Sequence, residues 1–320
     1  MLRALAIALI LASFAAGAAA ADVAYYNVPK GSHPHDVAPA SDGTVWFTAQ
    51  GAGSLGRLDP KSGAVHLIPL GQGSAPHGVI VGPDGAAWVT DGGLSAIVRV
   101  DARTEKVTSF PLPKKNAYAN LNTATFDKAG RLWFTGQAGV YGRFDLSTGV
   151  VTVWDAPRGA GPYGITTTPS GGVYYASLAG SHIARIDTET GAATAIEPPT
   201  RGQGARRVWS DSKGLVWVSE WNAGQVSAFD PVASAWQSWK LPGSGASAYA
   251  VYVDETDAVW LTDFTANAVL RFDRQSQRFT SYPSDKPFAN VRQLNGRPGE
   301  VWGAESGTDR LVVIRSAATQ

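Results

Sequence analysis

Short apolar segments alternate with turn residues along this chain, and one pattern of apolar and polar positions returns seven times. In each return a small polar turn is followed by an apolar residue and then by an aromatic one. The recurring aromatic residues are Trp46, Trp88, Trp133, Tyr174, Trp217, Trp260 and Trp302. Successive members are 42, 45, 41, 43, 43 and 42 residues apart. A period of roughly 40 to 45 residues with several short strands per unit is typical of a β-propeller blade.

The second repeat shows what each unit contains. Ala75–Val81 predicts a short apolar strand, and Gly82–Gly85 predicts a tight turn because Asp and Gly suit positive φ. Three further strands are predicted at Ala86–Asp91, Ala96–Asp101 and Val107–Pro113. Four antiparallel strands joined by hairpins make one blade.

The two ends of the chain predict how the ring closes. The last repeat stops after its third strand, at residues 311–314, whereas residues 24–29 form a fourth strand without a unit of its own. We expect this N-terminal strand to complete the last blade. The sequence therefore predicts an all-β fold: a seven-bladed β-propeller of four-stranded antiparallel blades, forming a single domain over residues 21–320. The recurring aromatic residues are then expected to pack between blades, because large aromatic side chains dominate core burial.

Aligned repeats place two sets of residues around the central channel. The first set opens each innermost strand: His35, His77, Asn122, Tyr163, Arg206, Tyr249 and Asn290. The second set follows each recurring aromatic by three residues: Ala49, Asp91, Gly136, Ser177, Glu220, Asp263 and Glu305. Every member of the first set has a hydrogen-bonding side chain, which suits either a polar ligand or ordered water in the channel.

The first set and its neighbours predict a small-molecule site in the channel. The candidate ligand-binding residues are Asn122, Tyr163, Arg206, Trp221, Tyr249, Asn290 and Arg292. Clustered guanidinium groups suit a ligand that bears a carboxylate.

Acidic and histidine residues suggest two kinds of chemistry. Glu220, Asp263 and Glu305 lie on three consecutive blades and are candidate ligands for Mg²⁺ or Ca²⁺, which prefer oxygen donors. The alternative is that Arg206, Arg207 and Arg292 neutralise these carboxylates in a polar network. On the first two blades, His35, His77 and Asp91 are candidate catalytic residues, since histidine is the commonest general base near neutral pH. The alternative for them is capping of the innermost strands.

Composition and charge narrow the setting. Residues 1–20 have the order of a secretory signal, with Arg3, an apolar run over residues 5–16 and a small-residue site at residues 18–20. Export, to a periplasm in particular, is therefore expected. Removal of Arg3 changes 27 basic residues to 26, which equals the 26 acidic ones, so no basic field is available for nucleic acid. No later segment is long and apolar enough for a bilayer. We expect a monomer that binds neither nucleic acid nor membrane.

The repeat resembles that of the virginiamycin B lyase (streptogramin lyase) family. The resemblance rests on residues 76–79, the turn at 83–85, Trp88, the third strand at 56–59 and the segment 217–224, and it covers essentially all of the chain after residue 20. It implies a seven-bladed propeller. It also implies magnesium-assisted elimination at an ester bond of a cyclic depsipeptide, without hydrolysis.

The resemblance carries over to individual residues unevenly. Glu305 matches the second metal-binding glutamate of the family. Tyr249 stands where the family has a substrate-binding histidine, and residues 286–290 replace a Glu-Pro-His triplet that supplies a metal ligand and the general base. Asp263 and Phe264 replace a Glu-Trp pair, and His35 replaces a tyrosine. A site rotated by two blades, made of His35, His77 and Asp91, would restore the spacing of two histidines and an acid.

Three functions follow as hypotheses. The first is an exported carbon–oxygen lyase on an ester-linked or sugar-acid substrate, assisted by a metal. The second is a non-catalytic periplasmic propeller that binds a small ligand or a protein partner. The third, by analogy of fold alone, is a calcium-dependent lactonase.

Overall fold

A computed structural model of the protein describes residues 21–315 and shows a ring of seven four-stranded antiparallel sheets. In chain order, the strands of this described part are β1 (Asp22–Asn27), β2 (Pro34–Pro39), β3 (Val45–Ala49), β4 (Ser54–Leu58), β5 (Val65–Pro69), β6 (Pro76–Val81), β7 (Ala87–Asp91), β8 (Ala96–Val100), β9 (Val107–Pro111), β10 (Leu121–Phe126), β11 (Leu132–Gly136), β12 (Val140–Asp145), β13 (Val150–Asp155), β14 (Pro162–Thr167), β15 (Val173–Ser177), β16 (His182–Ile186), β17 (Ala193–Ile196), β18 (Ala205–Ser210), β19 (Val216–Glu220), β20 (Gln225–Asp230), β21 (Ala235–Lys240), β22 (Ala248–Val253), β23 (Val259–Asp263), β24 (Ala268–Asp273), β25 (Arg278–Pro283), β26 (Val291–Arg297), β27 (Glu300–Glu305) and β28 (Arg310–Arg315). Two single-turn 3-10 helices cover Gln50–Ala52 and Lys114–Asn116.

The blades follow the chain, and the last one closes the ring. Six sheets have the order of four consecutive strands, beginning at β2, β6, β10, β14, β18 and β22. The seventh has the order β1-β28-β27-β26, with Asp22 opposite Arg315 and Asn27 opposite Arg310. The predicted fold class and the closure by the N-terminal strand are confirmed. The predicted signal segment, residues 1–20, lies outside the described residues. Between residues 21 and 315 no helix combines the length and the hydrophobicity that crossing a membrane requires.

The recurring aromatic residues pack between neighbouring blades, as predicted. Trp88 of the second blade contacts Phe144 of the third, with 5.5 Å between ring centroids. Five of the seven use their polar group as well: the indole N–H donates to a carboxylate at the start or end of the same hairpin, for example from Trp133 to Asp127 at 2.8 Å and from Trp217 to Asp211 at 3.0 Å. Each of these five rings therefore buries a large apolar area and pairs its N–H, whereas the Trp46 N–H is buried without a partner among the described residues.

A bulge near the start of every innermost strand positions the channel residues. In the first blade the pairing shifts between Pro34–Ala49 and Val37–Phe47, so His35 and Asp36 together lie opposite Thr48. The Thr48 hydroxyl accepts the Asp36 N–H at 2.9 Å and donates to the carbonyl oxygen of His77 on the next blade at 2.8 Å. Thr90, Thr135 and Ser219 make both contacts in their blades, and Thr262 accepts the Ala250 N–H at 3.0 Å. This hydroxyl satisfies the backbone at the bulge and joins adjacent blades.

Candidate functional site at the central channel

The residues predicted to open the innermost strands do meet around the channel, with one correction. In six blades the channel residue comes directly after the residue that pairs with the last residue of the second strand. In the first blade, for example, Pro34 pairs with Ala49 and His35 comes next. The six channel residues are His35, His77, Asn122, Tyr163, Arg206 and Tyr249. In the seventh blade Val291 pairs with Glu305, so the equivalent residue is Arg292.

Asn290 is therefore not the seventh member of the set. It precedes β26, has φ of 51°, and accepts the Ser306 N–H through its carbonyl oxygen at 3.4 Å. The alignment placed the start of this strand two positions too early, in a blade whose spacing to the recurring aromatic residue also differs from the others. Ten residues separate Arg292 from Trp302, against eleven between His35 and Trp46.

A buried ion pair crosses the channel just below this set. The Asp36 carboxylate accepts from Arg207 Nη2 at 2.8 Å and from His35 Nδ1 at 2.8 Å. Arg207 Nη1 also donates to the Thr123 hydroxyl at 2.7 Å. The side chains of Asp36 and Arg207 are 2% and 4% exposed. The Asp36 carboxylate thus joins the first blade to the fifth. Arg207, one of the arginines expected to neutralise Glu220, Asp263 and Glu305, pairs with Asp36 instead.

His77 belongs to the same network through a different route. Its Nε2 accepts from the Asn122 amide at 3.0 Å, and Asn122 in turn accepts from the Thr123 hydroxyl at 2.7 Å. The His77 ring lies against His35, with 3.7 Å between centroids. Its Nδ1 is buried and has no partner among the described residues. The predicted ligand-binding residue Asn122 is therefore engaged in holding a histidine.

Burial controls the charge of these groups. It lowers the pKa of both His35 and His77 well below the ordinary value, and the nearby Arg207 and Arg292 lower it further. Burial also raises the pKa of Asp36, while Arg207 opposes that rise. Both imidazoles are therefore neutral near pH 7, and Arg207 favours the charged form of Asp36.

Asp91 does not orient either histidine, contrary to the sequence-based hypothesis. Its Oδ1 accepts the N–H groups of Ala75 and Leu94 at 3.0 and 2.9 Å, and its Oδ2 accepts the Ser74 hydroxyl at 2.5 Å. These contacts tie the loop that enters the second blade to the loop that leaves β7. The carboxylate beside a histidine is Asp36, the next residue in the chain after His35.

Two tyrosines and two arginines form the mouth at which the innermost strands begin. We call this the arginine mouth and define it by Tyr163, Arg206, Trp221, Tyr249, Phe264 and Arg292. The Tyr163 and Tyr249 hydroxyls are 2.7 Å apart, Arg206 Nη2 donates to Tyr163 at 3.0 Å, and Arg292 Nη1 donates to Tyr249 at 3.3 Å. The Arg206 guanidinium lies 3.6 Å from the Tyr249 ring centroid and 4.9 Å from that of Trp221. Stacking of this kind fixes a planar cation.

The arginine mouth carries uncompensated positive charge. Within the described residues neither Arg206 nor Arg292 has a carboxylate within 4.0 Å, and Nε of each is buried without a partner. Both residues are half-buried. Burial first, and Tyr249 second, raise the pKa of Tyr163 to about 12. Burial acts in the same direction on Tyr249, but Arg206, Arg207 and Arg292 outweigh it and lower the Tyr249 pKa below its usual value.

The three predicted metal ligands do not come together. Glu305 accepts from Arg310 Nε at 2.8 Å, from the Ser284 hydroxyl at 2.8 Å and from the Thr308 hydroxyl at 2.7 Å. Asp263 Oδ1 accepts the N–H groups of Ser247 and Thr265, both at 2.9 Å, in the manner of Asp91.

Glu220, the third of these acids, is buried and bonded to the Gln225 amide at 2.5 Å, and burial raises its pKa. In residues 21–315 the one group of three histidine or acidic side chains whose donor atoms lie within 4.8 Å is His35, Asp36 and His77. There the Arg207 guanidinium already supplies a positive charge against Asp36. These residues do not fit a hard divalent cation.

Comparison with known proteins places this geometry in a family. A model of the virginiamycin B lyase family matches residues 12–244. The chain belongs to this family. The family's fold is also the fold of the similar solved structures. A streptogramin B lyase structure has 21% identity and a TM-score of 0.85, covering 93% of this chain and 98% of that one. Selenomethionine-substituted virginiamycin B lyase from Staphylococcus aureus has 18% identity and a TM-score of 0.85, covering 92% and 99%.

A third solved structure carries a ligand. It is a catalytically inactive histidine-to-alanine variant of the S. aureus virginiamycin B lyase with quinupristin, at 19% identity and a TM-score of 0.85, covering 92% of this chain and 99% of that one. No curated protein matches this chain significantly. Identities this low establish the fold of this virginiamycin B lyase family member, and its chemistry must be argued from its own residues.

Asp36 and the hydroxyl of Thr48 were not singled out from the sequence, although a signal for each was present. Asp36 follows a channel residue at a position that holds Gly78, Thr123, Gly164 and Ala250 in other blades. The other blades have small or polar residues at this position, whereas Asp36 and Arg207 carry opposite charges. Once the bulge is known, these charges predict that the two side chains pair. Thr48 and its counterparts recur two residues after the aromatic residue, which a closer alignment of the repeats would have shown.

Proposed function

We propose that this virginiamycin B lyase family member binds a small anionic molecule, with a carboxylate as its recognised group, at the arginine mouth. The observation that carries the proposal is the pair of half-buried guanidinium groups, Arg206 and Arg292, that lack a carboxylate partner in the described part of the chain. A buried or half-buried cation without a counterion is unfavourable, and an anionic ligand relieves that cost.

The geometry supports a planar carboxylate in particular. Arg206 is held against Tyr249 and bonded to Tyr163, so its plane is fixed before a ligand arrives. A pre-positioned fork of N–H donors matches the two oxygens of a carboxylate. Trp221 and Phe264 lie beside it, 5.4 Å apart and nearly perpendicular, and supply an apolar wall for the rest of the ligand.

Elimination without a metal is the second candidate, and one arrangement favours it. The Tyr249 hydroxyl lies 3.4 Å from His35 Nε2, and His35 Nδ1 donates to Asp36, so a chain of hydrogen bonds links the arginine mouth to a buried carboxylate. The lowered pKa of Tyr249 suits a base. In this reaction the Tyr249 phenolate, favoured by the arginines, would take a proton from the carbon beside the substrate carboxylate, and the carbon–oxygen bond at the next carbon would break. The electron pair of the C–H bond would form the double bond, and the leaving oxygen would take a proton from solvent.

The metal-assisted form of this chemistry receives less support. Glu305 is saturated by Arg310, Ser284 and Thr308, and the other two acids are bonded elsewhere. We derive no step through magnesium or calcium. For the location we propose export, on the strength of the order of charged, apolar and small residues in positions 1–20.

Calorimetric titration with acetate, citrate and galacturonate tests binding at the arginine mouth. We expect saturable binding of at least one carboxylate to residues 21–315 and a loss of about tenfold in affinity in Arg292→Gln, with a larger loss in Arg206→Gln. The matched control is Arg271→Gln, which removes a guanidinium that lies over Trp260 on an outer part of the sixth blade. Affinities that are equal in all three variants would overturn the proposal.

A separate assay tests elimination. An unsaturated product absorbs in the near ultraviolet, so methyl-esterified and free oligogalacturonates can be followed directly, with EDTA present. Product that forms in the wild type and not in Tyr249→Phe supports a tyrosine base. Turnover that persists in Tyr249→Phe would exclude it.

A further inference from the structure

A cavity of about 450 Å³ opens at the opposite mouth of the channel, where the innermost strands end. Its floor is the ion pair of Asp36 and Arg207 with Thr123 and Gln293, which separates it from the arginine mouth. The volume lies within the ordinary range for small-molecule sites, roughly 300 to 1,000 Å³.

The wall of this cavity is made of strand edges, and the pairing alternation fixes which groups they present. In the hairpin of β2 and β3, the Ala40 N–H donates to the Thr44 carbonyl oxygen, so these two residues form a hydrogen-bonded pair. Two residues earlier, Ala38 and Trp46 form the next hydrogen-bonded pair. Val37, the neighbour of Ala38, must then direct N–H and C=O toward the channel axis, because bonded and non-bonded pairs alternate in an antiparallel ladder. The Val37 N–H does point there, since it donates to the Gln293 side-chain oxygen at 2.8 Å.

The same register repeats around the ring. The residues equivalent to Val37 are Val79, Ala124, Ile165, Val208, Val251 and Leu294, and all six line the cavity. Each presents an inward N–H and an inward C=O on an unpaired strand edge. The ring of edges therefore offers alternating donors and acceptors at one level of the channel.

The charge of the cavity favours a neutral ligand. Asp36 and Arg207 neutralise each other at the floor, and both neighbouring histidines are uncharged near pH 7. Two further charged residues line the cavity: Asp127 pairs with Arg131 at 2.7 Å, and Lys128 is exposed to solvent. The Gln293 amide uses its oxygen on Val37 and keeps its N–H groups for the cavity.

We infer that this mouth is a second binding site, for a neutral polyhydroxylated molecule the size of a monosaccharide. Hydroxyl groups both donate and accept, which matches the paired N–H and C=O edges and the amide N–H groups of Gln293. The apolar side chains of Phe126 and Trp209 in the lining suit the C–H faces of such a molecule. The site is distinct from the arginine mouth, and its ligand is distinguished by the absence of charge.

Titration calorimetry and saturation-transfer NMR with D-glucose, D-galactose and N-acetyl-D-glucosamine test this inference on the complete domain. The blocking variant is Thr167→Phe with Ser210→Phe. Both residues line the cavity, and Phe126 occupies the equivalent position in the third blade, so the backbone accepts phenylalanine there. We expect at least one sugar to bind and its affinity to fall by about tenfold or more in the double variant.

Two further variants keep the result interpretable. Arg292→Gln, at the arginine mouth, is expected to leave sugar binding unchanged, so failure of the proposed carboxylate site and failure of this site can be told apart. Lys213→Phe adds a phenylalanine on an exposed turn of the fifth blade as a matched control. The inference is overturned if none of the sugars binds, if binding survives the double variant with its fold intact, or if acetate competes with the sugar for this cavity.

Discussion

Asp36 and Arg207 are 171 positions apart in the chain and meet across the channel with 2.8 Å between carboxylate oxygen and guanidinium nitrogen. Both side chains are almost completely buried. The pair forms the floor of the cavity at one mouth of the channel and lies below the residues of the arginine mouth. The same carboxylate orients His35. Most of the predictions below test this floor or the groups that depend on it.

Asp36→Asn is expected to destabilise the protein by about 3 to 5 kcal/mol, because it leaves the Arg207 guanidinium buried without its carboxylate. Urea unfolding followed by tryptophan fluorescence measures the change. Asp42→Asn is the control, since Asp42 pairs with Arg57 at 2.7 Å at a site that is about half exposed, and such pairs contribute less than about 1 kcal/mol. Equal losses in the two variants would contradict a structural role for the floor.

Stability is expected to fall as the pH falls below about 6.5, the ordinary histidine pKa. Burial lowers the pKa of His35 and His77 in the folded state, so the unfolded chain takes up protons that the folded protein does not. The free energy of unfolding then drops by about 1.4 kcal/mol per pH unit for each histidine. The raised pKa of Asp36 acts in the opposite sense. It does so at pH values above the ordinary pKa of an aspartate, in more acidic solution than the histidines.

Urea unfolding at a series of pH values checks this prediction. His77→Asn, which copies the residue found at Asn122, should reduce the slope by about 1.4 kcal/mol per pH unit. His66→Asn, at an exposed position of β5, is the matched control for the substitution itself. An unchanged slope in His77→Asn would show that this histidine titrates normally in the folded protein.

A tyrosine is expected to ionise below its usual pKa in the folded protein. Arg206, Arg207 and Arg292 favour the Tyr249 phenolate, whereas Tyr163 is held at about 12. Ultraviolet difference absorbance of tyrosinate, recorded as the pH rises, should show an early step that Tyr249→Phe abolishes. Tyr118→Phe, at a fully exposed tyrosine, should retain the step. A curve without an early step in the wild type would refute the effect of the arginines.

Removal of divalent cations is expected to leave the melting temperature unchanged. The Glu305 carboxylate is already bonded to Arg310, Ser284 and Thr308, and a metal would have to replace these contacts. Differential scanning calorimetry with EDTA and with added magnesium or calcium makes the comparison. A rise in melting temperature with magnesium, lost in Glu305→Gln, would restore the metal-assisted hypothesis, because a ligand that binds the folded state stabilises it.

The strand β1 is expected to be required for stability of the closed ring. Tyr26 packs on Trp302 with 5.5 Å between ring centroids, and its hydroxyl donates to the Pro60 carbonyl oxygen of the first blade at 3.2 Å. Tyr26→Ala should therefore cost about 2 to 4 kcal/mol in urea unfolding. Tyr118→Ala, on the surface, should cost less than about 0.5 kcal/mol. If the two variants were equally stable, β1 would not carry the closure.

The repeats allowed the scaffold to be predicted nearly strand by strand. In the second blade the predicted strand 75–81 corresponds to Pro76–Val81, and the next, 86–91, to Ala87–Asp91. The recurring aromatic residues carried this information because each packs against the adjacent blade, so its spacing is the spacing of the blades. The closure was predictable from the same repeats. The N-terminal strand had no repeat of its own and the last repeat lacked its fourth strand, so the two were expected to pair.

The site was less predictable, since residues that share a register do not share partners. Asp91, Asp263 and Glu305 follow their aromatic residues at one spacing and were expected to face the channel, yet they bond the loops of their own blades. The alignment also placed the start of the last innermost strand two positions too early, at Asn290 instead of Arg292. Neither outcome changes the hydrophobic pattern, so neither could be detected in it.

The sequence by itself determined seven blades, their closure and the polar character of the channel, because burial of apolar faces imposes a period that can be counted along the chain. Only the tertiary structure decided that Asp36 meets Arg207, that both histidines are neutral and that Arg206 and Arg292 have no carboxylate partner in the described residues. These facts depend on distances between blades that are far apart in sequence. Electrostatic interactions are determined by those distances and by burial, and a linear pattern records neither.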